Sequence, residues 1–267
     1  MGAGHYENFP VASALLPAAL RRPVAVIYRF ARTADDFADE GDIAPEARLA
    51  SLQGYREELG RIERGALPAD PLFAEIAAIA RQFALPLQLF RDLLDAFSQD
   101  VQKTRYADFA ELLDYCRRSA NPVGRLLLHL FDAATPAHLA QSDRICTSLQ
   151  LINFWQDVPI DFAKHRVYLP QDDLSRFGVT LDQIARREVD EPWRNLMRFQ
   201  IDRARAMMLD GSPLGRSLPG RLGLEIRTMV QGGLRILDKL EGAGCDMFRH
   251  RPVLRAWDWP LLFARAL

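Results

Sequence analysis

The chain has 267 residues, 49% hydrophobic and 26% charged, with a net charge of −1. That is ordinary globular material near the upper size for one hydrophobic core, and it gives no electrostatic case for nucleic acid as a partner. Cys116, Cys146 and Cys245 are far apart and form no CxxC pair, and His5, His129, His138, His165 and His250 share no ligand spacing, so neither a disulfide framework nor a zinc site is expected.

In chain order, the opening MGAGHYENFP has neither a basic n-region nor an apolar h-region, so no signal peptide is expected. Tyr6 stands where a myristoylation signal needs Ser or Thr. No apolar run reaches the ~20 residues of a spanning helix, and a cytoplasmic protein is the expectation. Apolar spacing is helical nearly throughout; Leu85, Leu89, Leu93 and Phe97, for example, step by four. Strands have little support. Punctuation at Pro10, Pro17, Pro23, 41–45, 65–71, Pro86, 132–136, Pro170, Pro192, 211–220 and 242–252 leaves about ten helices in a single all-α domain, residues 1–267.

The first unusual segment runs Tyr28-Arg-Phe-Ala-Arg32-Thr-Ala-Asp35-Asp36-Phe-Ala-Asp39-Glu40-Gly41. Asp35 and Asp39 share a helix face, with Cβ atoms roughly 5–6 Å apart. Gly41 is the expected C-terminal stop. Four acids then crowd the negative end of the helix dipole, each unfavourable by roughly 0.3–1 kcal/mol, so a positive group is expected against them. The second segment runs Gln150-Leu-Ile-Asn153-Phe-Trp-Gln156-Asp157-Val-Pro-Ile-Asp161. Asn153, Asp157 and Asp161 recur every four residues inside an apolar run, where unpartnered carboxylates are costly. Pro159 is expected to kink or end that helix near residues 155–157, leaving Asp161 beyond it. Hard oxygen donors in small numbers suit Mg²⁺, and two such stripes could hold several ions against one diphosphate. The alternatives are a solvated acidic face for the first stripe and a capping role for Asp157 and Asp161 in the second.

These residues carry a resemblance. Arg32-xx-Asp35-Asp-xx-Asp39 with Tyr28, then Tyr115-Cys-Arg-Arg-Ser-Ala-Asn-Pro-Val-Gly124, then Gln150-xx-Asn153-xxx-Asp157-xxx-Asp161 with Arg166-Val-Tyr168-Leu-Pro170, resemble the ordered signatures of squalene and phytoene synthases. Glu7–Ser13, Ser119–Gly124, Phe154–Asp157 and Val230–Ile236 resemble the bacterial hopanoid-pathway hydroxysqualene synthase branch. The resemblance implies an all-α isoprenoid-synthase bundle around a central hydrophobic channel. It implies conversion of presqualene diphosphate and water to hydroxysqualene and diphosphate. It further implies Mg²⁺, several ions and no NADPH, with the substrate handed over by a presqualene diphosphate synthase.

By the same resemblance, Asp35, Asp39, Asn153, Asp157 and Asp161 are metal ligands, with Asp36 a weaker partner. Tyr28, Arg32, Asn121, Gln150, Arg166 and Tyr168 contact substrate, Arg32, Arg166 and Tyr168 at the diphosphate. Lys164 and Arg118 are additional contacts, and Phe9, Phe30, Phe37, Phe97, Phe154 and Trp155 are candidate cation-stabilising faces. The chain departs from squalene synthases at Glu7-Asn8, at Arg118 (a tyrosine there), at Asn121-Pro122 (a Gly-Leu-like pair) and at Gln156 (an arginine), which suits an enzyme of the second half-reaction. Asn121 either orients the capturing water, a role Gln156 could also fill, or breaks the chain before Pro122. Arg249-His-Arg251 before Trp257-Asp-Trp259 either touches the inner face of a membrane or forms a solvated turn. Head-to-head prenyl diphosphate condensation and a silent isoprenoid-binding protein are the competing functions.

Overall fold

The structure, a computed structural model, describes residues 17–41 and 43–267. Readings that fall on residues 5–13, including Glu7-Asn8 and Phe9, lie outside them. The described residues form thirteen helices and one isolated parallel bridge, Arg105 with Val167. In order they are α1 (Ala18–Asp39), α2 (Pro45–Glu63), α3 (Pro71–Phe83), α4 (Leu87–Gln102), α5 (Phe109–Ser119), α6 (Asn121–Leu130) and α7 (Pro136–Ala163). There follow α8 (Gln171–Phe177), α9 (Leu181–Ala185), α10 (Glu191–Gly211), α11 (Leu214–Ser217), α12 (Gly220–Gly242) and α13 (Asp258–Ala266).

Most prolines sit where a missing N–H does no harm. Pro45, Pro71, Pro122, Pro136 and Pro192 occupy first turns. Asp70, Asp108, Thr135, Thr180 and Asp190 accept hydrogen bonds from the turn they open. Two prolines do not end helices as the sequence allowed. Pro23 lies inside α1 and Pro159 inside α7, which continues to Ala163. A proline inside a free helix costs about 3 kcal/mol. Here the flanking Trp155 and Val158 are buried in the core, and that packing holds α7 in register past the proline. Asp161 therefore stays on the same helix as Asp157. Gly41, with φ +78°, stops α1 as its sequence predicts.

The apolar side chains form two clusters. One gathers α1 to α4 around Phe30, Phe73 and Phe90; the other gathers α7, α10 and α12 around Trp155 and Trp193. α4 and α6 contribute to both, Phe97 and Ala96 falling on opposite sides, as do Leu126 and Leu128. At Gly233 α12 crosses α7 so closely that a Cβ would lie 2.6 Å from Met208 Cε and 3.2 Å from Ile152 Cδ1. The exits of α4 and α7 are tied by Val167 N–H donating to Thr104 O at 3.0 Å and by Gln171 N–H donating to Tyr106 O at 2.9 Å. This brings the C-terminal ends of two long helices side by side, next to the end of α1.

Candidate active site

On α7, every residue from Ile145 to Val158 is buried except Gln150, Asn153 and Asp157, which are half-exposed. Asp161 continues the row one turn on, also half-exposed. On α1, Tyr28, Arg32, Asp35 and Asp39 form the matching half-exposed row. Oxygen-bearing groups therefore stay accessible on both helices, on α7 against neighbours that are buried.

Arg166 joins the two rows. Its Nη2 donates to Asp39 Oδ1 at 2.6 Å and to the Asp100 carbonyl at 3.1 Å, while its backbone N–H donates to the Asp161 carbonyl at 2.9 Å. One residue thus satisfies groups at the ends of α1, α4 and α7, where last-turn carbonyls have no helical partner. Lys164 Nζ adds a second cation to Asp39 at 3.1 Å. Burial alone would raise the Asp39 pKa, but Arg166 and Lys164 outweigh it and hold the carboxyl below its usual range. Asp161 behaves oppositely. Burial first, and then the charge of Asp157, push it up to about 7.

Asp157 itself is clasped by Arg251, whose Nε and Nη2 reach the two carboxylate oxygens, the latter at 3.0 Å. Arg32 lies 2.7 Å from Asp36 Oδ1, 2.9 Å from Glu40 and 3.9 Å from Asp35. The Asp36 contact is a charge contact without hydrogen-bond alignment, since Oδ1 has no aligned donor. Burial lowers the Arg32 pKa, but Asp36, Asp35 and Glu40 raise it by more.

Beneath this charged layer lies an aromatic wall. Phe154 stacks on Tyr168 with centroids 3.7 Å apart, and Tyr106 and Tyr115 pack on Tyr168 at 5.7 and 5.9 Å. Tyr115 Oη donates to Asp100 Oδ2 at 2.8 Å, while Asp100 Oδ1 is buried without a partner. Burial pushes Asp100 up to about 7 and drives the Tyr168 hydroxyl far above its ordinary value, with Asp100 adding to the latter.

The remaining site residues separate in space. Asn121 is buried at the head of α6, its Oδ1 accepting from Thr147 at 2.9 Å. Gln156 is buried beside Asp157; Nε2 donates to the Pro252 carbonyl at 2.5 Å and Oε1 has no partner. Arg118 is held by Asp114 at 2.8 Å and Gln99 at 2.7 Å. Phe30 belongs to the first core cluster, packed on Tyr55, Phe73 and Phe90, as does Phe97. Two residues of the site escape sequence reasoning. Arg251 lies 94 positions from its partner and offers no local signal. Asp100 shows the same acid-at-helix-end pattern as Asp39 and is open to the same inference.

The donor set fits Mg²⁺, being oxygen only and carrying a carboxyl, Asp161, that burial and the neighbouring Asp157 charge raise. Among the described residues no three acidic, histidine or cysteine side chains are gathered as a preformed metal cage. Mg²⁺ needs none, since it binds one or two carboxylates with water and substrate phosphate completing its shell.

The squalene/phytoene synthase family profile matches residues 3–258. This chain belongs to the squalene/phytoene synthase family. It is 34% identical to a hydroxysqualene synthase of Sinorhizobium fredii over 240 residues, 88% of this chain and 80% of that one. It is 35% identical to a phytoene synthase of Mycobacterium tuberculosis over 201 residues, 74% of this chain but 65% of the relative's length. The crystal structure of squalene synthase HpnC from Alicyclobacillus acidocaldarius superposes with a TM-score of 0.83 at 36% identity, covering 91% and 90% of the two chains. The all-α isoprenoid-synthase fold is thereby established.

Proposed function

We propose that this protein converts presqualene diphosphate and water to hydroxysqualene and diphosphate in a Mg²⁺-dependent reaction without NADPH. The observation that carries the proposal is the pair of half-exposed rows, Asp35 and Asp39 on α1 against Asn153, Asp157 and Asp161 on α7, with Arg166 between them. These five oxygen donors, with Asp36 behind Asp35, would hold Mg²⁺, which when bound neutralises a diphosphate leaving group.

The chain's own residues do the rest. Arg166, Lys164, Arg32 and Arg251 are within reach of the acidic rows and bind diphosphate oxygens by charge-assisted hydrogen bonds, with Tyr28 and Gln150 lining the same two helix faces. Departure of diphosphate breaks the carbon–oxygen bond and leaves a cyclopropylcarbinyl cation. The stacked rings of Phe154 and Tyr168 offer a π-face to that charge. That cation rearranges with opening of the cyclopropane ring, and water then forms the new carbon–oxygen bond at the rearranged cation and releases a proton. Gln156 Oε1, buried and unpartnered beside Asp157, is the polar atom best suited to accept from that water; Asn121 is engaged with Thr147.

Two further observations support the second half-reaction alone. Position 118 offers a guanidinium fixed to Asp114 and Gln99, with no phenol for the first condensation. The relatives also include hydroxysqualene synthases at 34% identity over 88% of the chain. The phytoene synthase relatives keep a second reading alive, head-to-head condensation of two prenyl diphosphates. Incubation of purified protein with presqualene diphosphate and Mg²⁺ in ¹⁸O-water separates the two. Labelled hydroxysqualene supports the proposal. Phytoene or squalene formed from prenyl diphosphates, with presqualene diphosphate untouched, replaces it.

A further inference from the structure

The C-terminal helix α13 is amphipathic in the inverted sense. Its inward residues, Asp258, Leu262 and Ala266, repeat every four positions and are buried. The acid among them is paired with Arg235 at 2.9 Å and with Lys239 of α12, and it caps the Arg255 N–H at 2.7 Å. Arg227 of α12 donates to the Ala266 carbonyl at the other end. The helix is therefore fixed at both ends, and its acidic residue, Asp258, points inward.

What it turns outward is apolar. Trp257 is 65% exposed, Phe263 42% and Leu261 37%, and the Trp259 and Phe263 rings lie 6.0 Å apart. A solvated surface helix carries its charges on that face. Charges do appear at the rim; the exposed ones from 248 onward are positive, and Arg249 also pairs with Asp246 at 3.5 Å. From 248 to 267 the chain holds four arginines and one acid, the buried Asp258. Arg249, Arg255 and Arg265 are exposed, and the Arg255 guanidinium lies 5.0 Å from the Trp257 ring centroid.

We propose that the outward face of α13 is a docking surface for an anionic lipid bilayer, with Trp257, Leu261 and Phe263 entering the headgroup boundary and Arg249, Arg255 and Arg265 meeting lipid phosphates. Tryptophan beside arginine, apolar inside a basic rim, is the chemistry of the membrane interface. A protein-binding face would be short of charge at its centre but not of one sign around it. The placement matters for the site. Arg251, six residues before Trp257, clasps Asp157, and six residues span at most about 20 Å, so the bilayer would lie close to the acidic rows.

The test is sedimentation of the full chain with vesicles of phosphatidylcholine alone or mixed with phosphatidylglycerol. The protein should partition onto the mixed vesicles and be released by salt. Arg255→Gln and Arg265→Gln should each weaken that partitioning about five-fold. Trp257→Ser with Phe263→Ser should abolish it while leaving the helical circular dichroism unchanged. Three outcomes overturn the proposal: no partitioning at low salt, equal partitioning of the double serine variant, or a wild-type dimer in sedimentation velocity that the double variant dissolves. The last would assign the face to self-association.

Discussion

Asp100→Asn tests the electrostatics at the end of α4. The Asp100 carboxyl is buried, accepts from Tyr115 Oη through Oδ2, and has no partner at Oδ1. Burial raises it from 3.8 to about 7, opposed by Tyr115 and Arg166 and assisted by the charges of Asp39 and Asp35. Such a rise is worth about 4 kcal/mol between the two protonation states. The sign follows from proton binding. Between 3.8 and about 7 the native state keeps a proton that the unfolded chain has lost, so stability falls as pH rises through that window and is flat above it. Asparagine keeps an acceptor for Tyr115 and cannot ionise, but it places an unpartnered amide where Oδ1 was, at about 1–3 kcal/mol. The variant should therefore be slightly less stable than wild type near pH 4. It should gain on wild type by up to about 4 kcal/mol by pH 8. Urea unfolding of both proteins across this range measures the difference, in which the titration of Asp39 and of Tyr106, Tyr115 and Tyr168 cancels to first order. A difference independent of pH would refute the reasoning, because it would mean that Asp100 is ionised in the fold throughout.

Chelation with EDTA should abolish turnover and added Mg²⁺ restore it, with turnover in a chelated preparation counting against the oxygen-donor reading. Asp157→Asn should keep the helical circular dichroism and lower turnover at least about 100-fold, the order for losing one electrostatic stabiliser; a parallel loss of helicity would make Asp157 structural. Gln156→Leu should divert product from hydroxysqualene towards hydrocarbon or cyclopropyl alcohol while diphosphate release continues. Asn121→Ala should instead cost about 1–3 kcal/mol by stranding Thr147, with the product ratio unchanged.

Much of the site is legible in the amino-acid order alone. The rows on α1 and α7 follow from four-residue spacing, which fixes a helix face regardless of what packs against it, and Gly41 stops α1 because few other residues tolerate its φ. Pro159 misleads because a local rule states the cost of a proline and not the packing energy available to meet it. Arg251 is invisible for a different reason. Nothing near residue 251 encodes a partner at 157, and its basic neighbours, with the tryptophans that follow, suggest a surface role instead of an ion pair with α7.

The site's charge has a common origin in the three helix ends that meet there. α1, α4 and α7 lack a basic residue in the last turn, as do α9 and α10, whereas α2, α3, α5 and α12 each carry at least one. In place of cations α1, α4 and α7 bring Asp39, Asp100 and Asp161, each on the negative end of its dipole, an arrangement unfavourable by roughly 0.3–1 kcal/mol apiece. The compensating cations arrive from outside the helices: Lys164 and Arg166 from the segment after α7, Arg251 from the segment after α12. Cations built into the last turns would neutralise the acids permanently. Cations on connecting segments neutralise them by long side chains that can exchange partners, since a guanidinium takes a carboxylate or a phosphate with the same fork geometry. The fold therefore concentrates negative charge on rigid elements and positive charge on adjustable ones, the division of labour that the proposed site for metal ions and a departing diphosphate would require.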